Sequence, residues 1–330
     1  MSYETLSQAV ALYDQYIKAQ GLAANTRKNK IQTLNHAKRL WGNPVIRRIQ
    51  HKDISEYFTA HPEWAPKTRN LYLGGLREFF AFCRNTNIAP LDFDPTRGWR
   101  SVREPSSTRF WLPPAEFPGL LDAAIHPRDR MIIAVGLFAV LRGSETRILA
   151  FGDVDLTKSK LHVYVTKTKR EMELPIVYEL AEEFERYFEW VKHTQGPIQP
   201  SWVLTPTRHI GTFTGPGGQH VPSIGMKMTT QFQNIYMPVR DTFKRLGYDM
   251  PGKTGNHALR RSGARMLLDF FRQVEGEQSA VLRVSNMLGH KNLKDTLNYI
   301  GLDIESDQLH AKLAGTRVLA RVEDRKLKAV

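Results

Sequence analysis

The chain has 330 residues, of which 41% are hydrophobic and 24% charged, values that allow globular cores and exclude wholesale disorder. Its longest apolar run, Met131 to Leu141, falls short of the roughly 18 residues a membrane helix needs. The start, MSYETLSQAV, lacks the basic-then-apolar pattern of a secretory leader, and the single cysteine, Cys83, excludes a disulfide framework or a multi-cysteine metal centre. These features predict a soluble, cytoplasmic protein of two domains.

Charge adds the first functional signal. The 47 Lys and Arg outnumber the 33 Asp and Glu, for a net charge of +14. Residues 1–50 alone hold 8 basic and 2 acidic side chains. A folded chain with this imbalance prefers polyanions, nucleic acid first.

In chain order, Leu6, Val10, Tyr13 and Ile17 recur at helical spacing and predict a helix over 5–20, with Thr5 and Gln8 as a capping box. A second helix is expected over 26–41, capped by Asn25, with Ile31, Leu34 and Leu40 on its apolar stripe. Asp53 is expected to cap a short third helix carrying Ile54, Tyr57 and Phe58. A fourth starts near Pro66 and carries Leu71, Leu76, Phe79 and Phe80. Together they predict an all-α domain over residues 1–104. Two of its helices have basic faces: Arg27, Lys30 and Lys38 fall within about 80° of arc, as do Arg69, Arg77 and Arg84. These six are the candidate DNA-contact residues.

Residues 105–113 lie in a run rich in Pro, Ser and Arg and predict a linker. Beyond it, helices are expected at 115–125, 127–141 and 143–150. The strands LHVYVT (161–166) and MELPI (172–176) flank a turn. Residues 177–193 are helical, 207–224 form a Gly-rich loop, and helices follow at 227–246, 256–274, 278–288 and 292–300. A last helix is expected within the tail, 303–330. The fold class is therefore mainly α with a small β-sheet, α+β in the second domain.

One motif must be set aside. Gly247 to Thr254 matches G-x-x-x-x-G-K-T letter for letter, but a phosphate-binding loop needs a buried strand before it, and 231–246 has a helical pattern. A Gly/Pro turn is the expectation, and with it a DNA-stimulated ATPase is disfavoured.

A scattered set carries more chemistry. Arg142 follows the core helix. Lys167 sits in the turn between the strands. His257 and Arg260 share a helix face, His290 follows Leu288-Gly289, and Tyr299 comes nine residues later. Two guanidiniums can bind the non-bridging oxygens of a phosphodiester without a metal. A tyrosine hydroxyl can attack phosphorus, a lysine can protonate the leaving oxygen, and histidines can exchange protons. No carboxylate triad for Mg²⁺ is evident, so neither metal nor cofactor is expected.

In this order the residues resemble the tyrosine recombinase (phage integrase) family: Arg142 with Glu145 three residues on, the β-turn Lys167, His257-Ala-Leu-Arg260, Leu288-Gly289-His290, and Tyr299. The resemblance covers about residues 5–300. It implies that the helical first domain is a core-binding domain and that 114–302 form the catalytic domain. It implies that Arg142 and Arg260 clamp the scissile phosphate, that Tyr299 forms a 3′-phosphotyrosine, and that Lys167 protonates the 5′-oxygen. His257 and His290 would assist proton transfer and hydrogen-bond the phosphate, with Glu145 in support. It also implies double-stranded recombination sites as partners, a homotetramer on DNA, and a tail given to the neighbouring protomer. Directionality or host factors stay open. No arm-binding domain is expected, which gives a minimal, Xer-like layout. The biological role expected is integration of a phage or other mobile element, with chromosome or plasmid resolution as the alternative. A type IB topoisomerase or a non-cleaving DNA-binding protein fits less well. Two departures stand out: Ala139-Val140-Leu141 replaces the family's frequent Thr-Gly-Leu, and the stretch between Arg260 and His290 is longer than in compact members.

Overall fold

The computed structural model describes residues 4–104, 110–214, 220–250, 252–290 and 292–301, with backbone alone at 209–214 and 220–224. The tail expected to be helical, 303–330, and most of the linker lie outside the described residues. The chain divides into two compact units, Met1–Ser107 and Thr108–Val330, each with its own apolar core.

The first unit is helical: α1 (Leu6–Ala19), α2 (Ala24–Trp41), α3 (His51–Thr59) and α4 (Pro66–Asn85). Thr5 and Gln8 form the expected capping box on α1, where the Thr5 backbone N–H donates to Gln8 Oε1 at 2.9 Å. Two capping expectations are corrected. α2 begins one residue before Asn25, after an extended Ala23. In α3 the cap is Gln50, and Asp53 is the third helical residue, its carboxylate accepting the Gln50 N–H at 2.6 Å. A carboxylate in the first turn also complements the helix dipole. Leu34, Tyr57, Leu76, Phe79 and Phe80 meet in the core. Leu40 and Leu71 do not; they are 47% and 64% exposed. Leu73, about 200° round the helix from Leu71, takes the inward place on α4.

The second unit opens with α5 (Phe117–Asp122), α6 (Pro127–Phe138) and α7 (Gly143–Ile148), shorter than the expected 115–125, 127–141 and 143–150. A three-stranded antiparallel sheet follows, in the order β1 (Val154–Asp155), β2 (Lys160–Val165), β3 (Arg170–Pro175), with Leu161 opposite Leu174 and Val163 opposite Met172. α8 (Tyr178–Gln195) covers α6. Next comes an isolated antiparallel pair, β4 (Pro206–Thr214) and β5 (His220–Gln231), with Ile210 opposite Ile224. This replaces the Gly-rich loop expected at 207–224. Because β5 occupies the next residues, α9 starts at Tyr236 rather than 227 and runs to Arg245. α10 (Asn256–Glu275), α11 (Glu277–Leu288) and α12 (Leu293–Ile300) complete the described part.

α6 is buried from Met131 through Leu141 and beyond its own end. It stops at Phe138 because the chain reverses at Val140, whose φ is +49°. A β-branched residue there costs about 1–2 kcal/mol of backbone strain that glycine would avoid. This is the position where the resemblance has glycine. α10 presses against α6 at Gly263, where a Cβ would come within 1.7 Å of the Leu137 carbonyl oxygen. No side chain fits, so the two backbones approach directly.

The Gly247–Thr254 segment follows a helix, α9, and not a strand. Thr254 is buried and its hydroxyl donates to the Met250 carbonyl at 3.4 Å. Its described residues, 247–250 and 252–254, turn the chain into α10.

Candidate active site

The site is built where the end of α6, the start of α7, the first turns of α10 and the end of α11 meet. Arg142 caps α7 from an extended backbone. Glu145, in the first turn of α7, is 1% exposed and binds three donors. Its carboxylate accepts the Arg142 backbone N–H at 2.7 Å and the Arg142 guanidinium at 2.8 Å. It also faces Arg260 Nη1 at 3.5 Å. Arg260, one turn into α10, is buried and also donates to the Val140 carbonyl. The two guanidiniums then converge on one main-chain oxygen: Leu288 O accepts Arg142 Nη2 at 3.1 Å and Arg260 Nη2 at 2.5 Å.

Two cations share one carboxylate here, so the pocket keeps a positive excess. Burial, then the neighbouring Arg142, pushes Arg260 down to about 10. It remains charged at neutral pH, and an anion between the two guanidiniums would offset part of their mutual repulsion.

His290 enters from the turn after α11, which Gly289 closes with φ +62°. Its Nδ1 lies 2.9 Å from Thr296 Oγ1 on α12, and that hydroxyl donates to Ser285 Oγ on α11 at 2.9 Å. Burial first, then Arg260 and Arg142, pushes the His290 ring down to about 4. The ring is therefore neutral at physiological pH. It stands edge-to-face with Tyr299, centroids 5.6 Å apart.

Tyr299 is half-buried near the end of α12. Its hydroxyl donates to the His257 carbonyl at 3.2 Å. Burial raises its pKa, while Arg260, Arg261 and Arg142 pull it back. The phenol is protonated in this state and needs a proton acceptor before it can attack. The exposed His257 has its pKa lowered by the protein packed around the ring, then by Arg260, Arg261 and Arg142. Lys167 is exposed in the β2–β3 turn. That hairpin reaches the same place: a Cβ on Gly289 would lie 3.4 Å from Arg170 Nη2, and the Lys167 charge is felt at His290. Among the described residues no cluster of three or more His, Cys, Asp or Glu could hold a metal. Within the same limits, no helix is long and apolar enough to cross a membrane.

The sequence model of the phage integrase family matches residues 111–305, which contain every member of this constellation. The chain is a member of the phage integrase family. A tyrosine recombinase of Pseudothermotoga lettingae is 28% identical over 183 residues, covering 52% of this chain and 63% of that relative. In fold, the chain is similar to a lambda integrase dimer bound to a COC′ core site, with a TM-score of 0.69, 15% identity, and coverage of 91% of this chain and 78% of that one. It is also similar to the Tn1549 transposon integrase in complex with a circular intermediate DNA, with a TM-score of 0.63, 15% identity, and coverage of 93% and 99%.

Several site residues of this family member carry no motif of their own. Arg261 donates to the Tyr299 carbonyl at 3.1 Å and to the Phe110 carbonyl at 3.2 Å, with its guanidinium 5.2 Å from the Tyr299 ring centre. Arg265, one turn on, donates to the Ile300 carbonyl at 3.0 Å. Together they satisfy carbonyls that the end of α12 leaves unpaired. An i, i+4 arginine pair on α10 was the only sequence signal. Leu112, inside the stretch expected to link the domains, is buried and donates to Ser262 Oγ at 2.7 Å.

The six candidate DNA-contact residues all belong to the first unit, where five of them are engaged locally. Arg27 pairs with Asp14 at 3.1 Å, and Lys30 with Glu78. Arg69 lies over the Phe58 ring, Arg77 donates to the Trp99 carbonyl, and Arg84 donates to the Phe93 carbonyl and faces Asp94. Lys38 has no ion pair among the described residues.

Proposed function

We propose that this chain is a site-specific tyrosine recombinase that cuts and rejoins DNA through a 3′-phosphotyrosine. The reading rests chiefly on one observation: two guanidiniums fixed on the Leu288 carbonyl beside a neutral histidine and a half-buried tyrosine. Such a pocket suits a phosphodiester that gathers charge as it becomes five-coordinate. Arg142 and Arg260 bind the non-bridging oxygens. Tyr299 Oη attacks phosphorus and its proton passes to a neutral histidine. The bond from phosphorus to the 5′-oxygen breaks, and that oxygen takes a proton from the Lys167 ammonium. The reverse sequence, with a 5′-hydroxyl from another strand as nucleophile, restores the duplex and frees the tyrosine. Charge stabilisation comes from side chains, so strand cleavage needs neither divalent metal nor nucleotide.

The working assembly on this reading is a homotetramer on two double-stranded recombination sites. Its role is integration of a phage or other mobile element, a reading supported by its fold likeness to the lambda and Tn1549 integrases.

The test is a nicked suicide substrate in excess EDTA, read on a denaturing gel. The wild-type chain is expected to trap a covalent adduct, and Tyr299→Phe to bind the same DNA without one, because the substitution removes only the attacking oxygen. An adduct in the variant, or a strict need for Mg²⁺ or ATP, would reject the mechanism. Mapping the protected and nicked DNA beside the protein's own gene tests the integrase role.

A further inference from the structure

The hydroxyls of Thr296 and Ser285 touch no candidate DNA-facing surface, yet they are buried and consecutive behind His290. Thr296 is 0% exposed and Ser285 6% exposed. Each hydroxyl carries one proton, so the chain of bonds has a direction. Thr296 Oγ1 donates to Ser285 Oγ at 2.9 Å. Its single proton is then committed, and toward His290 Nδ1, also 2.9 Å away, it can only accept. The imidazole must supply the proton of that bond. A neutral ring has only one, so its lone pair is left on Nε2.

We propose that Thr296 is a positioning residue that, through Ser285, fixes His290 as the Nδ1–H tautomer and so makes it a proton acceptor toward the reacting centre. The surroundings agree. Burial, then the Arg260 and Arg142 guanidiniums, keep the ring neutral, with Lys167 acting in the same direction and Asp295 opposing, so the ring carries a single N–H. The device also has a mechanical side. Thr296 sits three residues before Tyr299, on the helix that carries the nucleophile. The bond that selects the tautomer forms only when α12 is seated on α11. Docking of Tyr299 and readiness of His290 are thus one event. In the reaction, the Tyr299 proton can pass to the Nε2 lone pair as the oxygen–phosphorus bond forms, giving an imidazolium that still holds Thr296 through Nδ1–H.

This inference rests on the proposed role of His290 in proton transfer, and the experiment separates the two. The full chain, labelled with ¹⁵N-histidine, is examined by long-range ¹H–¹⁵N correlation, with His290→Gln used to assign the signal. Wild type and Thr296→Ser are expected to show a protonated Nδ1 and a bare Nε2. Thr296→Val, nearly isosteric but without the hydroxyl, is expected to show mixed tautomers. In Ser285→Ala, Thr296 is free to turn its proton toward the ring, and the population shifts toward Nε2–H. Cleavage of the suicide substrate should fall on the order of tenfold in Thr296→Val and recover in Thr296→Ser, with DNA binding unchanged. A bare Nδ1 in the wild type, or a tautomer unmoved by Thr296→Val, overturns the relay. A tautomer that shifts while cleavage does not overturns the proton role of His290 instead. Circular-dichroism melts separate either result from loss of folding.

Discussion

Gly263→Ala adds one methyl group at the tightest point of the second unit. The new carbon would sit 1.7 Å from the Leu137 carbonyl oxygen, 2.7 Å from its carbon and 2.9 Å from Val140 Cγ1. The first two are main-chain atoms and cannot rotate away. Restoring ordinary contact means separating α10 from α6 by about 1.8 Å, since non-bonded atoms settle near 3.5 Å. Overpacking of this kind costs about 1–3 kcal/mol, against which alanine's better helix propensity returns about 1 kcal/mol. The net expectation is a loss of about 0–2 kcal/mol. Function should suffer more than stability, because Arg260 sits three residues before Gly263 and donates to Val140, three residues after Leu137. A 1 Å misplacement of a catalytic group costs about a hundredfold. Two controls bracket the effect. Gly136→Ala would meet Leu259 first, its Cδ1 at 2.9 Å and its Cβ at 3.0 Å, a milder overlap than at Gly263 and with no main-chain atom as near. Gly74→Ala, in the exposed middle of α4, meets nothing within 4 Å and should stabilise by about 0.5–1 kcal/mol. Urea unfolding and adduct formation, measured for all three, decide the matter. If Gly263→Ala were as stable and as active as Gly74→Ala, the close approach of α6 and α10 would not be what holds Arg260.

Other perturbations address the charges. Glu145→Ala leaves Arg142 and Arg260 facing each other without their shared carboxylate, and breaking a buried pair should cost about 3–5 kcal/mol; a melt unchanged from wild type would contradict this. His290 and His126 are both held near 4 in the fold, against 6.5 ordinarily, by burial first. Between those values the unfolded chain binds more protons, so both contribute stability that is full above pH 6.5 and is lost as pH falls toward 4. The melting temperature should drop between about pH 7 and about pH 5, and drop less in His290→Gln combined with His126→Gln. In the first unit, Lys38→Ala should flatten the slope of log K against log salt by about 0.9 if it meets a phosphate. Arg84→Ala should instead lower the melting temperature, since its guanidinium ties α4 to Phe93 and Asp94. The opposite pattern would exchange their roles.

The parts of the fold that are legible in sequence share a cause. Helices such as 5–20 and 66–85 declare themselves because their apolar residues recur within one turn, a local signal. The motif residues of the site are legible because glycine, histidine and tyrosine stand at fixed spacings. The β4–β5 pair is hidden for the opposite reason. Its register joins residues such as Thr207 and Lys227 across a gap in which Gly and Pro read as loop, and a two-stranded ribbon tolerates Pro222 because each strand has an open edge. Arg261 and Thr296 are ordinary helix residues until α10, α11 and α12 come together. Nothing in their own windows marks them. Asn25 and Asp53 carry the side chains preferred at a cap, yet the helices start beside them, which shows how little propensity constrains a boundary.

The Leu288 carbonyl is, in effect, a fixed stop machined into the backbone. Because both guanidiniums rest on it, their separation is set by where one peptide plane points and not by the freedom of two long side chains. That plane is aimed by the left-handed turn at Gly289, at φ +62°. The gauge of the proposed phosphate clamp is therefore insensitive to most side-chain changes along α11 and acutely sensitive to the one residue without a side chain. There a substituent would be strained by its own backbone and would also press toward Arg170 at 3.4 Å. The residue with the least chemistry of its own sets the spacing on which the rest of the site depends.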